Sequence, residues 1–321
     1  TRPFGGSSRA EPSRSYCGGG LQKGRLHMEE WTAVQDLISQ AEQDGVSISD
    51  VIIDWQARQL GLTPRLILAK MRDTLNVMRQ AAQDGMGDET SVSGLSGGMA
   101  RRYDASGSAG RLVSGPARDA IAIALAVSEH NACMGRVVAA PTAGSCGILP
   151  GVLLACEKHF QCTDEELVHA LFNSSGMGMV IAHRASVSGA QGGCQAECGS
   201  ASGIAASAAV ELLGGTPAMC GHACALALKF SMGLTCDPVA GLVEVPCVKR
   251  NASGAVSALT AAELALAGIE SAIPVDEVID AMKNVGDLMH MSLKETALAG
   301  LAATKTGLEI KDRLAALSQE K

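Results

Sequence analysis

The chain has 321 residues, which is enough for a large buried core in one or two domains. Hydrophobic residues make up 47% of the chain but aromatic residues only 2%, so small aliphatic side chains must fill the interior, which favours closely packed helices over a β-sandwich. The net charge of -7 and the lack of a clustered basic stretch argue against nucleic acid as a partner.

Residues 1–27 precede the first helical pattern. They show neither the apolar segment of a signal peptide nor a helical periodicity. We therefore expect this stretch to be a disordered extension or an expression remnant, with Cys17 outside any site. We place one α-helical domain over residues 28–321, which we expect to be catalytic.

Three amphipathic helices are predicted within residues 28–85, which we interpret as an N-terminal helical cap of this domain. The first helix is expected to end at Gly45. The third has Thr63 as its N-cap, Pro64 in its first position and Gly85 after its last turn.

Glycine and serine dominate residues 85–115, a composition that regular elements tolerate poorly. Within this stretch SGLSGG (93–98) lies close to Arg101 and Arg102. Such a loop either connects two elements flexibly or presents backbone N–H groups to an anion. The sequence leaves both interpretations open.

The remainder of the chain is predicted to be almost wholly helical. Helix starts are marked by the capping box of Thr163 with Glu166 and by Thr216 followed by Pro217. No alternating strand series, fixed-period repeat or phosphate-binding fingerprint is present. We predict a mainly α fold, in which glycine-rich site loops lie between the helices.

The apolar run over residues 199–228 is interrupted by charged, glycine and proline residues, so it predicts a buried helix pair and no membrane span. Eleven cysteines without a secretory signal indicate a reducing compartment, and we expect the protein in the cytoplasm. Most of these cysteines are expected to be core residues, because a free thiol packs like a small apolar group.

The segment APTAGSCGILPG (140–151) precedes a predicted helix. Thr142, Gly144 and Ser145, together with neighbouring amides, suit a carboxylate cradle at a helix N-terminus. A simple capped turn explains the same residues equally well.

The segment GGCQAECGS (192–200) places two cysteines one helical turn apart behind a glycine pair. The glycines allow a close approach of the backbone, and Cys194 is predicted at a helix start, where unpaired N–H groups favour a thiolate.

A second cysteine segment, LTCDPVAGLVEVPCVKRN, is predicted to contain one short helix. Asp237 suits a cap, Pro238 suits the first helical position and Pro246 suits a stop. Cys236 and Cys247 should then flank the two ends of this helix. Their sulfurs could both approach one bound group outside the helix.

Cysteine spacing alone does not identify a ligand set. The long steps between Cys194, Cys236 and Cys247 match neither the short pairs of a zinc finger nor a ferredoxin run. The one-turn pairs Cys194/Cys198 and Cys220/Cys224 suit ligands or packing equally well.

Four segments, SGLSGG, APTAGSCGILPG, GGCQAECGSASG and CDPVAGLVEVPCVKRNASG, occur in this order and resemble the α-chain or α-domain of iron-sulfur-dependent bacterial L-serine dehydratases. The resemblance extends over nearly everything from Met28 onward. It implies a lyase that converts L-serine to pyruvate and ammonia. It also implies a [4Fe-4S] cluster on Cys194, Cys236 and Cys247, with the remaining iron open to substrate, and no pyridoxal phosphate.

The resemblance further implies how the substrate and its base are placed. His183, just ahead of the cysteine loop, is the best-placed base within this chain, although the family's base can come from a β-chain or β-domain. Because the α-part accounts for the length of the chain, we expect a separate β-chain and a hetero-oligomer. The residues expected to bind the substrate carboxylate are Ser93, Gly94, Ser96, Thr142, Ala143, Gly144 and Ser145.

Three other functions fit parts of the pattern. A pyridoxal-phosphate lyase would need a Schiff-base lysine, for which Lys249 is the nearest candidate. A non-catalytic iron-sulfur electron-transfer or structural subunit would hold a fully ligated centre, for example with Cys198 as a fourth ligand. A related lyase for L-threonine or L-cysteine would share the same motifs.

Overall fold

The computed structural model describes residues 31–107 and 112–319, which contain thirteen α-helices and no β-strand. This confirms the predicted mainly α fold, while the extension predicted over 1–27 lies outside the described residues. The helices are α1 (Val34–Asp44), α2 (Ile48–Leu60), α3 (Pro64–Asp84), α4 (Met99–Ala105), α5 (Gly115–Ala132), α6 (Ile148–Phe160), α7 (Asp164–Arg184), α8 (Gly189–Gly192), α9 (Ser200–Leu212), α10 (Pro217–Phe230), α11 (Cys247–Leu266), α12 (Val275–Leu288) and α13 (Lys305–Gln319).

Local sequence signals mark the last turn of α1 and both ends of α3 where they were predicted, while α1 begins at Val34 and not at Met28 as its pattern predicted. Helix α1 ends at Gly45, which adopts a left-handed φ of 65°. Helix α3 begins at Pro64 after the N-cap Thr63 and ends before Gly85. The three helices pack on α5, α7 and α10, and their buried residues belong to the main hydrophobic core of the described chain.

Helix α9 forms the centre of this core. It contacts α6, α7, α10 and α11, and every residue from Ser200 to Val210 is buried. Small residues allow these neighbours to approach closely: a Cβ placed on Gly203 would lie 3.1 Å from Sγ of Cys224 in α10. The core is therefore built on backbone proximity, as the low aromatic content predicted.

The apolar run over 199–228 is confirmed as a buried helix pair, because it forms α9 and α10, which pack against each other. None of the described helices combines the length and the apolar character that a membrane span requires.

The helix predicted between Cys236 and Cys247 is wrong. Val239–Gly241 form only a 3₁₀ turn, in which Ala240 has a left-handed φ of 56°. Pro246 does not stop a helix but precedes α11, whose first residue is Cys247. The two cysteines therefore flank an irregular segment.

Asp237 gives the physical reason for this difference. Its carboxylate accepts hydrogen bonds from the Arg250 guanidinium at 2.9 Å and from the Leu301 amide at 2.8 Å. Because both partners are distant along the chain, the carboxylate does not cap a local helix. Long-range contacts have replaced the local capping that the sequence suggested.

Candidate active site

The first cysteine segment forms an unusual turn. Cys194 lies immediately before a π-helical turn, Gln195–Gly199, that continues into α9. The preceding Gly193 has φ 76°, and a Cβ there would lie 2.9 Å from the carbonyl oxygen of Leu234. The turn places the sulfurs of Cys194 and Cys198 3.3 Å apart, within hydrogen-bonding distance. The predicted helix start is thus a widened turn, a feature frequent at functional sites.

A backbone contact joins this turn to the second cysteine segment. The Gln195 amide donates to the carbonyl of Leu234 at 3.0 Å, two residues before Cys236. Cys236 in turn pairs through its backbone with Leu293 and Glu295, at 2.9 and 2.7 Å. The segments are therefore held together independently of their thiols.

The three predicted ligands, Cys194, Cys236 and Cys247, are buried and close enough for their charges to interact. Burial, followed by the charge of Cys194, raises the pKa of Cys236 and raises that of Cys247 to about 12. The hydrogen bond with Cys198, helped by the Arg250 guanidinium, outweighs burial and lowers the pKa of Cys194. A bound cation would relieve the repulsion among three thiolates, because metal ligation deprotonates thiols outright.

The donor set fits an iron-sulfur cluster. Cysteine thiolates are the usual ligands of such clusters, and each cysteine binds a different iron, so the sulfurs surround the cluster and do not converge on one ion. In residues 31–107 and 112–319, no group of three or more His, Cys, Asp or Glu side chains is arranged around a single ion. A Cβ on Gly189 would lie 3.0 Å from Sγ of Cys236, so glycine keeps space open beside that sulfur.

The predicted carboxylate cradle is a 3₁₀ turn, Ala143–Ser145, in front of α6. Asn251 of α11 holds it from both sides: its amide nitrogen donates to the Gly144 carbonyl at 2.7 Å, and its amide oxygen accepts from the Gly147 amide at 2.9 Å. The turn is thereby attached to the helix that begins at Cys247.

The cradle residues differ in accessibility. Ala143 is exposed, and Thr142 and Gly144 are partly buried. Ser145 is fully buried, and its hydroxyl bonds within the turn to the carbonyls of Ala140 and Thr142, both at 3.4 Å. Ser145 therefore shapes the turn, while the other three residues remain within reach of a ligand.

The SGLSGG loop is anchored to the second cysteine segment. The hydroxyls of Ser91 and Ser93 donate to the buried carboxylate of Glu244 at 2.6 and 2.7 Å. Gly94 has φ 71° and no neighbour where a Cβ would lie. The hydroxyl of Ser96 is buried and has no hydrogen-bond partner in the described part of the chain. The loop is thus a fixed part of the site region and not a flexible connection.

The two arginines after this loop, Arg101 and Arg102, are exposed to solvent. Arg101 pairs with Asp88. The first amides of α4, at Met99 and Ala100, donate to the carboxylate of Glu129 at 3.0 and 2.8 Å. The anion at this helix start is therefore a side chain of the protein itself.

Glu197 lies where three of the four motifs meet, although our sequence interpretation did not select it. The Thr142 side chain and the Gly189 backbone stabilise its charged form, and the Cys236 thiol donates to its Oε2 at 4.0 Å. Burial raises the pKa of this carboxyl group. The available signal was a single carboxylate within the otherwise uncharged GGCQAECGS.

Other site residues were also missed. Arg250 lies one turn after Cys247 and contacts Cys194 and Asp237, a position that the charged pair in CVKRN could have indicated. Lys294 is only 8% exposed and pairs through its backbone with Cys236, and no local signal in the sequence marked it.

The predicted base lies at the surface of the described chain. His183 is exposed in the last turn of α7, and within the described ranges no hydrogen bond or ion pair joins it to the cysteines or the cradle. Lys249, the candidate for a Schiff base, is also exposed.

Comparison with known proteins gives consistent results. The family model described as serine dehydratase alpha chain matches residues 43–302, more than half of the chain. The chain is 49% identical over 282 residues to a probable L-serine dehydratase, alpha chain, of Bacillus subtilis (strain 168), covering 88% of this chain and 94% of that protein. It is 41% identical over 279 residues to the L-serine dehydratase, alpha chain, of Peptoniphilus asaccharolyticus, covering 86% and 96%.

A longer relative matches over a smaller part. The L-serine dehydratase TdcG of Escherichia coli (strain K12) is 45% identical over 181 residues, which cover 56% of this chain and 40% of that protein.

Proposed function

Because the chain belongs to the serine dehydratase alpha-chain family, we propose that it is the catalytic α-subunit of an L-serine ammonia-lyase, which converts L-serine to pyruvate and ammonia. One structural observation supports this proposal above others. Three buried thiols lie beside a glycine-rich turn, with a carboxylate between them and that turn.

Cys194, Cys236 and Cys247 are the residues that would hold a [4Fe-4S] cluster. When bound, the cluster would supply a Lewis-acidic iron that assists the loss of hydroxide from the β-carbon of serine. The chain contributes the surroundings: burial excludes water from the thiols, and Arg250 offsets the negative charge of Cys194. The proposal does not require pyridoxal phosphate.

The cradle at the start of α6 would bind the substrate carboxylate. The accessible residues Thr142, Ala143 and Gly144 present backbone and hydroxyl groups there, and a helix N-terminus favours an anion. The anchored loop would contribute Gly94 and the unpaired hydroxyl of Ser96, while the hydroxyls of Ser93 and Ser145 position their own turns.

The reaction also requires a base for the α-proton of serine. Loss of this proton and of the β-hydroxide gives aminoacrylate, which tautomerises and hydrolyses to pyruvate and ammonia. His183 is the candidate within this chain, but it is exposed, and in the described residues no hydrogen bond joins it to the cradle. We therefore propose that a separate β-chain completes the site in a hetero-oligomer, as the alpha-chain names of the relatives suggest.

The cytoplasm is the proposed location. All ten cysteines in the described residues are free thiols, and a reducing compartment preserves this state.

The deciding experiment is anaerobic preparation of the chain with its β-chain, followed by iron and sulfide analysis and a pyruvate assay. We expect about four irons and four sulfides per α-chain, pyruvate formation from L-serine, and slower turnover of L-threonine and L-cysteine. Zinc, no metal, or a loaded protein without pyruvate formation would overturn the proposal.

A Cys198→Ala variant separates the lyase from an electron-transfer subunit. With three ligands proposed, this variant should keep its iron and sulfide content. A fully ligated carrier that used Cys198 as its fourth ligand would instead lose cluster.

A further inference from the structure

Glu197 is a half-buried carboxylate that lacks a cation. The groups that act on it are the Thr142 hydroxyl, the Gly189 backbone, the Cys236 thiol and the carboxylate of Glu295, and within residues 31–107 and 112–319 it forms no ion pair with Lys, Arg or His. Removing an unpaired carboxylate from water is costly unless a counter-charge is supplied. A cation from outside the chain is therefore the missing partner.

The carboxylate of Glu197 borders both the cradle and the second cysteine segment. A Cβ placed on Gly144 would lie 3.4 Å from Oε1 and 3.5 Å from Oε2, so the carboxylate faces the carboxylate cradle. Oε2 lies 4.0 Å from Sγ of Cys236 and would lie 2.8 Å from a Cβ on Gly189. The side chain thus extends from the cradle to the cysteine that would bind the cluster.

Amino-acid chemistry identifies the cation. L-serine carries its carboxylate and ammonium on the α-carbon and its hydroxyl on the next carbon. If the carboxylate lies at Thr142–Ser145 and the hydroxyl points towards the cluster cysteines, the ammonium lies at the carboxylate between them. We propose that Glu197 binds the α-ammonium group of the substrate and thereby selects α-amino acids over hydroxy acids that lack nitrogen.

The local hydrogen bonding and charge are suited to this role. A carboxylate offers about four lone-pair positions, of which Thr142, Gly189 and the Cys236 thiol account for three, so acceptor capacity remains for an ammonium group. The like charge of Glu295 strengthens the attraction for a cation. The same charges repel the substrate carboxylate and so direct it to the cradle.

This inference rests on the proposed function, and its test uses the anaerobic holoenzyme with its β-chain. Two ligands are compared: L-serine, and 3-hydroxypropanoate, which lacks only the amino group. In Glu197→Gln we expect KM for L-serine to rise about 10- to 100-fold, because a site built to pair a polar group discriminates strongly against its loss. The inhibition constant of 3-hydroxypropanoate should change less than about threefold, since that ligand makes no ion pair with Glu197.

Two further measurements separate a loss of ammonium binding from damage to the site. Iron and sulfide content, and the visible absorption change on titration with 3-hydroxypropanoate, report the state of the site without turnover. Glu197→Asp retains the charge at a shorter reach, so it should recover part of the preference for L-serine.

The outcomes separate the inference from the proposed function. If the parent protein lacks iron or serine turnover, the proposed function itself fails. If the parent is active but Glu197→Gln changes both ligands equally, or neither, the role of Glu197 is overturned. Loss of iron in both variants would assign Glu197 to holding the cluster site and would likewise overturn it.

Discussion

The capping box at the start of α2 and the cysteine turn before α9 satisfy their polar groups in different ways. In α2, Ser47 and Asp50 cap the helix start reciprocally at 3.1 and 3.2 Å, over three residues of sequence. In the cysteine turn, the fully buried Gln195 donates to the carbonyl of Met282 and accepts from the amide of Gly233, both at 2.8 Å. The capping box at the start of α2 thus depends on its neighbours in sequence, and the cysteine turn on the rest of the fold.

This difference has a consequence for substitutions. Changes in α1–α3 should alter the free energy of unfolding without altering the chemistry. Changes around the cysteine turn should alter metal content or substrate binding more than stability. Four substitutions test this contrast.

The largest effect is expected for Cys236→Ala, which removes one of three proposed ligands. We expect loss of iron and sulfide and no detectable pyruvate formation, while far-ultraviolet circular dichroism stays helical. Cys224→Ala is the matched control, because Cys224 is equally buried but lies in α10 within the core. A Cys236→Ala protein that retains its full iron content would contradict the ligand assignment.

In the first region, Ile52→Ala should lower the free energy of unfolding by about 2–5 kcal/mol. Ile52 is 1% exposed and packs where Gly176 of α7 leaves room for it. Chemical denaturation measures this loss. Iron content per folded molecule and KM should be unchanged, and a selective loss of iron in folded protein would show that the two regions are coupled.

An intermediate effect is expected for Asn251→Ala, which leaves the Gly144 carbonyl and the Gly147 amide without their partner. The free energy of unfolding should fall by about 1–3 kcal/mol. KM for L-serine should rise about tenfold, because the cradle is no longer held in position. Asn131→Ala is the control. The exposed Asn131 side chain donates to the neighbouring Ala143 carbonyl at 3.3 Å, which is a longer and weaker hydrogen bond. Equal effects of the two variants would argue against a special role for Asn251.

The smallest effect is expected for Asp119→Asn in α5, a helix that carries none of the proposed ligands or cradle residues. Burial opposes ionisation of Asp119, but hydrogen bonds from His159 and Lys158 outweigh it and lower the pKa of its carboxyl group. The native pKa then lies below the unfolded value of about 4. The resulting stabilisation is present above that pH and is lost as the pH falls through the native pKa.

Chemical denaturation of the parent protein and of Asp119→Asn at pH 7 and near pH 3 tests this pH dependence. The variant should be less stable by up to about 1 kcal/mol at pH 7, and the difference should shrink in acid. A difference that does not depend on pH would show that the charge of Asp119 contributes nothing.

Much of the helical fold was predictable because its signals are local. Pro64 and the terminal Gly45 mark helix ends, since the fixed φ of proline suits a first helical turn and a left-handed glycine satisfies the last carbonyls. Low aromatic content likewise predicted close helix packing, which α9 shows. The motif order also predicted the family, which the matching family model confirms.

The second cysteine segment shows where local signals fail. Asp237 and Pro238 have the composition of a helix start, but Arg250 and Leu301 bind the carboxylate first, and the helix begins at Cys247 instead. The choice between these structures depends on partners that are distant in sequence.

The sequence by itself determined the helices, their caps and the cysteine motifs, because these depend on residues a few positions apart. Only the tertiary structure decided that Glu197 lies between the cradle and Cys236, that Glu244 anchors the serine loop, and that His183 remains exposed. Buried polar groups take whichever partners the packed helices bring within hydrogen-bonding distance, and neither composition nor spacing encodes that distance.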